Sequence, residues 1–134
     1  MRGHHLRPRI VASTVIAVVV AVCPGGSARA GGDAARGKAV FVRQCALCHT
    51  ADRDGGNRFG PALFGIVGRK AGSAPGFAYS AAFRTRVDWD WSEEAIGGFV
   101  TSPSTMVPGT AMGVFQGVAA RDRDDLVAYL LTLR

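Results

Sequence analysis

The stretch from Thr50 to Tyr79 carries seven glycines and no sustained hydrophobic period, either helical or alternating. A connection longer than about 12–15 residues without structure of its own is uncommon in a compact domain and points to a functional loop. The helical patterns around it are short. Asp33 is placed to cap a helix over Ala34–Cys45 with Val40 and Phe41 on its apolar side, and Ser92-Glu93-Glu94 opens a second, followed at helical spacing by Ile96, Phe99 and Val100. Pro103 stops or restarts the chain. Residues 121–133 are the most regular segment, with Leu126, Val127, Leu130, Leu131 and Leu133 in one stripe that reads as core packing. No convincing strand is present. Three or four short helices make a thin core for a domain of this size, so something besides side chains has to complete it.

The first thirty residues are not expected to help. Arg2, Arg7 and Arg9 precede a mainly apolar run from Ile10 to Val22, and Ala28-Arg29-Ala30 ends it with an A-x-A pattern. That is the form of a secretory signal peptide; thirteen residues are too few for a membrane-spanning helix, which needs ~20. A lipid anchor on Cys23 is disfavoured by the bulk of Val22 before it. The expected organisation is a cleaved signal over residues 1–30 and one domain over 31–134, exported to a periplasm. Four of the sixteen basic residues leave with the signal and none of the ten acidic ones, so the domain carries +2, not +6. Its arginines are scattered among acids with no basic stripe, which excludes a nucleic-acid binder.

Residues 31–134 keep one histidine and two cysteines, all within Cys45-Ala46-Leu47-Cys48-His49. Three ligands are too few for a structural zinc site, a 2-His-1-carboxylate iron site lacks its second histidine, and a hydrolase would have to take its base from inside this run. C-x-x-C-H is the pattern of c-type haem attachment: two thiols on one helical turn can each form a thioether to the porphyrin edge, and the adjoining imidazole can ligate the iron. A flat apolar ring would also supply the missing centre for glycine-rich loops to wrap, because glycine lets backbone approach closely. A plain disulfide and a thioredoxin-like dithiol compete with this reading, although a thioredoxin fold needs βαβ units that are not evident.

Beyond the motif, residues 32–133 resemble class I cytochrome c of the mitochondrial type and its bacterial periplasmic relatives. The resemblance is carried by Gly32-Asp33, Gly37-Lys38 and Phe41-Val42 before the motif, then Gly60-Pro61, Gly65 to Lys70 and Ala74 to Tyr79. Pro108-Gly109-Thr110-Ala111-Met112 and Asp125 to Leu130 complete it. It implies an all-α fold of short helices and long loops around one covalent haem c held by Cys45 and Cys48, with His49 and Met112 as iron ligands. Met106 is the fallback for Met112. It further implies that the Pro61 carbonyl meets the other ring nitrogen of His49, that Arg69, Tyr79, Trp91 and Thr110 reach the propionates, and that Gly37 and Phe41 pack on Leu126 and Tyr129. With both axial positions filled by protein, the implied function is electron carriage between Fe(II) and Fe(III) and not enzymatic catalysis. The expected partners are membrane or periplasmic redox proteins acting as donor and acceptor, with no nucleic acid, no small-molecule substrate and a monomeric state. A haem subunit or acceptor dedicated to one periplasmic dehydrogenase is the alternative. The sequence departs from its relatives at Phe99, where they usually have tyrosine. It also departs at Gln44, Ser104, Thr105 and Ala111, where they carry lysines; the patch expected there is neutral and includes Val114 and Phe115.

Overall fold

The computed structural model describes residues 31–134; the signal-peptide expectation for residues 1–30 lies outside them. The elements are helices α1 (Ala34–Gln44), α2 (Ala81–Arg86), α3 (Glu93–Thr101), α4 (Pro103–Met106) and α5 (Ala120–Leu130), with a 3₁₀ turn at Ala111–Val114 before α5. No strand occurs among the described residues; one antiparallel bridge joins Lys70 and Asp90. The all-α expectation holds.

Helix α1 begins as the sequence dictates. The Asp33 carboxylate accepts from the backbone N–H groups of Ala35 and Arg36 at 2.8 and 3.0 Å, satisfying donors that the first turn leaves free. The helix ends one residue before its expected limit. Cys45 still donates to the Phe41 carbonyl at 2.8 Å, but its own carbonyl receives Cys48 and His49 N–H at 3.0 and 2.9 Å, so the chain turns tightly through the motif.

Helix α1 crosses α5 at a point where only glycine fits. A Cβ on Gly37 would collide with the Asp125 carbonyl and lie 2.8 Å from the Tyr129 Cβ. The crossing is fastened by Asp125, whose carboxylate accepts the Asp33 N–H at 2.6 Å and the Arg36 Nε–H at 2.7 Å. Phe41 and Tyr129 pack beside it with tilted rings, centroids 5.5 Å apart. Leu126, fully buried, occupies the inner side of α5.

Helix α5 stops at Leu130, short of the expected 133. Tyr129's carbonyl takes the Thr132 hydroxyl at 2.6 Å, and the Leu133 carbonyl is claimed by Gly65 N–H of the long loop at 2.8 Å. Pro103 restarts the chain as the first residue of α4. Helix α2 was not anticipated: it buries a single side chain, Phe83, and is held at its start by the Ser80 hydroxyl, which accepts Phe83 N–H at 3.2 Å.

The long loop is stitched in place rather than loose. Leu63 N–H donates to Thr50 O at 2.9 Å, the Asn57 amide donates to Pro75 O at 2.9 Å, and Trp91 N–H donates to Arg69 O at 2.9 Å. Leu63, Ile66, Ala71 and Ala74 turn inward from it and are buried. Trp91 and Phe99, with centroids 5.3 Å apart, and Phe83, 5.8 Å from Phe99, build an aromatic wall between loop and helices.

Candidate functional site

The loop, α3, α5 and the 3₁₀ turn enclose a cavity of about 340 Å³. Cys45, Cys48 and His49 line it from the turn after α1, and Met112 lines it from the 3₁₀ turn. Ile96, Phe99 and Val100 of α3, with Leu126 and Leu130 of α5, supply apolar surface. All four residues singled out from the sequence thus meet in one space.

His49 is the most constrained of them. Its Nδ1 lies 2.8 Å from the Pro61 carbonyl oxygen. A carbonyl can only accept, so Nδ1 carries the proton and the Nε2 lone pair is left available. Burial pushes the imidazole's pKa down, partly opposed by the bond to Pro61, and so favours the neutral form that binds metal. Gly60 lies buried against the ring: a Cβ there would collide with the imidazole carbons and nitrogens.

The two thiols are free, so no disulfide joins them. Burial, and then the neighbouring Cys48, push the Cys45 thiol up to about 11. That is opposite to the shift a nucleophilic redox thiolate requires, and it disfavours the thioredoxin-like reading.

The two methionines are distinguished by position. Met112 borders the cavity, and its backbone N–H is held by the Thr110 hydroxyl oxygen at 3.3 Å. Met106 is absent from the lining; its sulfur packs on α3, 3.5 Å from where a Cβ on Gly98 would stand. Lys70 is turned outward to Asp88 at 2.8 Å, and Lys38 is exposed on α1.

The cavity fits a large planar group bearing carboxylates. Arg69 borders it, donating from Nη1 to Phe64 O at 3.3 Å and from Nη2 to Ala62 O at 2.9 Å, while its buried Nε–H has no partner. A buried donor left unpaired is costly, and an acceptor on a bound group would satisfy it. Tyr79, Trp91 and Thr110 border the same space. Among the described residues, no three His, Cys, Asp or Glu side chains converge on a point that would hold a bare ion.

Sequence reasoning missed Phe83 and Phe59 as lining residues. Phe83 stands among arginines with no apolar periodicity, and Phe59 sits in the aperiodic loop, so neither gave a pattern to read.

Short helices, one long stitched loop and a cavity opening beside a Cys-x-x-Cys-His turn define a small all-α protein built around a tethered planar cofactor. Residues 34–134 match the model of the cytochrome c family. Among similar proteins, cytochrome c of Gibberella zeae is 42% identical over 101 residues, covering 75% of this chain and 94% of the relative. Cytochrome c of Euglena viridis is 42% identical over 104 residues, covering 77% and 99%, and that of Gossypium barbadense 40% over 100 residues, covering 74% and 88%. The chain belongs to the cytochrome c family. It is accordingly an electron carrier and not an enzyme, with one covalent haem c.

One expectation is corrected. The relatives are cytochromes c of eukaryotes, not periplasmic proteins of bacteria, and they overturn the periplasmic location. The A-x-A pattern behind that expectation is short and common, and a dedicated subunit of a periplasmic dehydrogenase loses its compartment with it.

Proposed function

We propose that residues 31–134 form a monomeric monohaem domain in which Cys45 and Cys48 hold the haem through thioethers, with His49 and Met112 as the two iron ligands. When bound, the group supplies reversible one-electron chemistry between Fe(II) and Fe(III). The protein's part is to bind, orient and keep dry. The observation that carries the reading is the Nδ1 contact of His49 with Pro61 at 2.8 Å, which aims a neutral Nε2 in a cavity shared with both cysteines and Met112. Fixing the other ring nitrogen in this way sets tautomer and orientation and raises the basicity of the ligating atom. Apolar walls from α3 and α5 exclude water, and Arg69 Nε offers a donor to a carboxylate. The domain exchanges electrons with a donor and an acceptor that are membrane-bound or soluble redox proteins. Covalent attachment is tested by extracting the matured protein with acidified acetone. The chromophore stays with the polypeptide if a thioether forms. Its loss from the parent protein, or its retention after the same extraction in a Cys45→Ser/Cys48→Ser variant, would refute the assignment.

A further inference from the structure

Of the residues lining the cavity, three are exposed to solvent: Phe59, Ala111 and Val114. None has a charge or a hydrogen-bonding side chain. Phe59 is 84% and Val114 86% exposed, and Leu47, between the two cysteines, is 79% exposed. Single exposed apolar residues are unremarkable on a protein surface. Here three of the four large ones among the described residues stand at the cavity mouth or within the attachment turn, the fourth being Val42. Apolar surface gathered at one functional opening is the mark of an interaction site.

The charges lie elsewhere. Arg36 is paired with Asp33 and Asp125, Lys70 with Asp88 at 2.8 Å, and Arg43 faces Asp122 at 3.8 Å. The one charged residue in the cavity lining, Arg69, gives both Nη groups to backbone carbonyls and keeps only a buried Nε–H unpaired. Arg58, next to Phe59 in the chain, donates to the Ala46 carbonyl at 2.8 Å, and Arg84 donates to the carbonyl of Tyr79. Steering a partner over distance needs a concentrated field of one sign, and this opening has none.

We propose that the cavity mouth is a docking face for a redox protein that itself presents an uncharged, apolar patch. Recognition there comes from dehydrating Phe59 and Val114 and not from charge pairing. The inference rests on the site assignment above, because the mouth is where the held group comes nearest to solvent. A partner with an acidic or basic face would find no complement here and would lose hydration of its own charges on contact.

The probe is a second copy of the haem-loaded protein, whose mouth has the required chemistry. Reduced and oxidised holoprotein are mixed, and the exchange rate is read from the averaging of their NMR resonances. One electron leaves the reduced copy and enters the oxidised one, with no bond or proton change and no net driving force, so a shifted potential does not imitate a docking effect. The rate should change less than about three-fold between ~10 and ~150 mM ionic strength, over which the Debye length falls from ~30 to ~8 Å. It should fall about ten-fold at both salt concentrations in Phe59→Ser/Val114→Ser, as loss of a central contact does elsewhere. Val114→Lys should create a salt dependence that the parent lacks, slow at low ionic strength and recovering as salt rises. A parent rate that climbs steeply with salt, or a double variant as fast as the parent, would overturn the proposal. Failure of the site assignment is distinguishable beforehand, because the purified protein would then lack a covalent Soret chromophore.

Discussion

The imidazole Nδ1 of His49 donates to the carbonyl of Pro61 across 2.8 Å, and Gly60, one residue earlier, presses its backbone against the same ring. The pair acts as a brace: one contact fixes which nitrogen is protonated, and the other fixes where the ring lies. A side chain at residue 60 cannot be added without moving the histidine.

Gly60→Ala should therefore damage the site more than an ordinary buried glycine-to-alanine change. Overpacking of this kind costs about 1–3 kcal/mol, and here the strain falls on the imidazole proposed to hold the iron. We expect a lower yield of haem-loaded protein and a lowered Tm. Normal yield and Tm would mean that the loop moves away from the ring without penalty.

Met112→Ala should leave the haem covalently attached while opening one side of it, so that the reduced protein binds carbon monoxide. Met106→Ala should not, because Met106 packs on α3 outside the cavity. Carbon monoxide binding by the Met106 variant alone would reverse the assignment.

Phe99 is buried in the cavity lining without any donor to offer. In Phe99→Tyr, a hydroxyl placed in that apolar space finds an acceptor or loses about 1–3 kcal/mol of stability. With the Met112 sulfur as acceptor, the thioether becomes a poorer donor to ferric iron and the midpoint potential rises. Redox titration beside a stability measurement decides the matter: an unchanged potential would show that residue 99 does not face the ligand.

Asp125 gives a pH prediction. The hydrogen bond from Arg36, and then the Asp33 N–H, hold its carboxyl below the usual range. A carboxylate with a depressed folded pKa adds stability above its unfolded pKa of ~3.9, and that stability disappears as pH falls through the lower folded value. Asp125→Asn should therefore weaken the protein at neutral pH, and the difference from the parent should shrink below about pH 4. Denaturation midpoints of both proteins, compared across that window, test the sign. A difference that is constant with pH would assign the effect to packing alone.

Much of this was legible in the chain. Asp33, Ser92 and Pro103 mark helix starts by chemistry that acts within a few residues, and each marks one in the structure. Cys45, Cys48 and His49 stand out in the sequence because covalent and metal chemistry tolerates few substitutes at fixed spacing, and the structure brings all three to one cavity. The methionine was harder: Met106 and Met112 differ in tertiary position, and resemblance to a family, not the local pattern, selected between them. Helix α2 escaped because a helix with one buried residue has no period. The end of α5 escaped because Gly65, far away in sequence, takes the Leu133 carbonyl. Location was misjudged on a basic start, an apolar run and small residues behind it, a pattern of composition and not of fixed chemistry.

The crossing at Gly37 has a consequence for how the chain comes into being. Asp33 and Asp125 are 92 positions apart, so their contact closes almost the whole domain into one loop. Loop-closure entropy must be overcome before that contact returns anything, and contacts of such long range slow folding. A nascent chain that has emerged as far as Ala119 has its attachment cysteines, its histidine and its methionine, yet lacks the Leu126 and Leu130 wall of the cavity. Translation therefore delivers every residue proposed to hold the haem before it delivers the clasp, and a chain broken off at that point would be an open ring, not a smaller carrier.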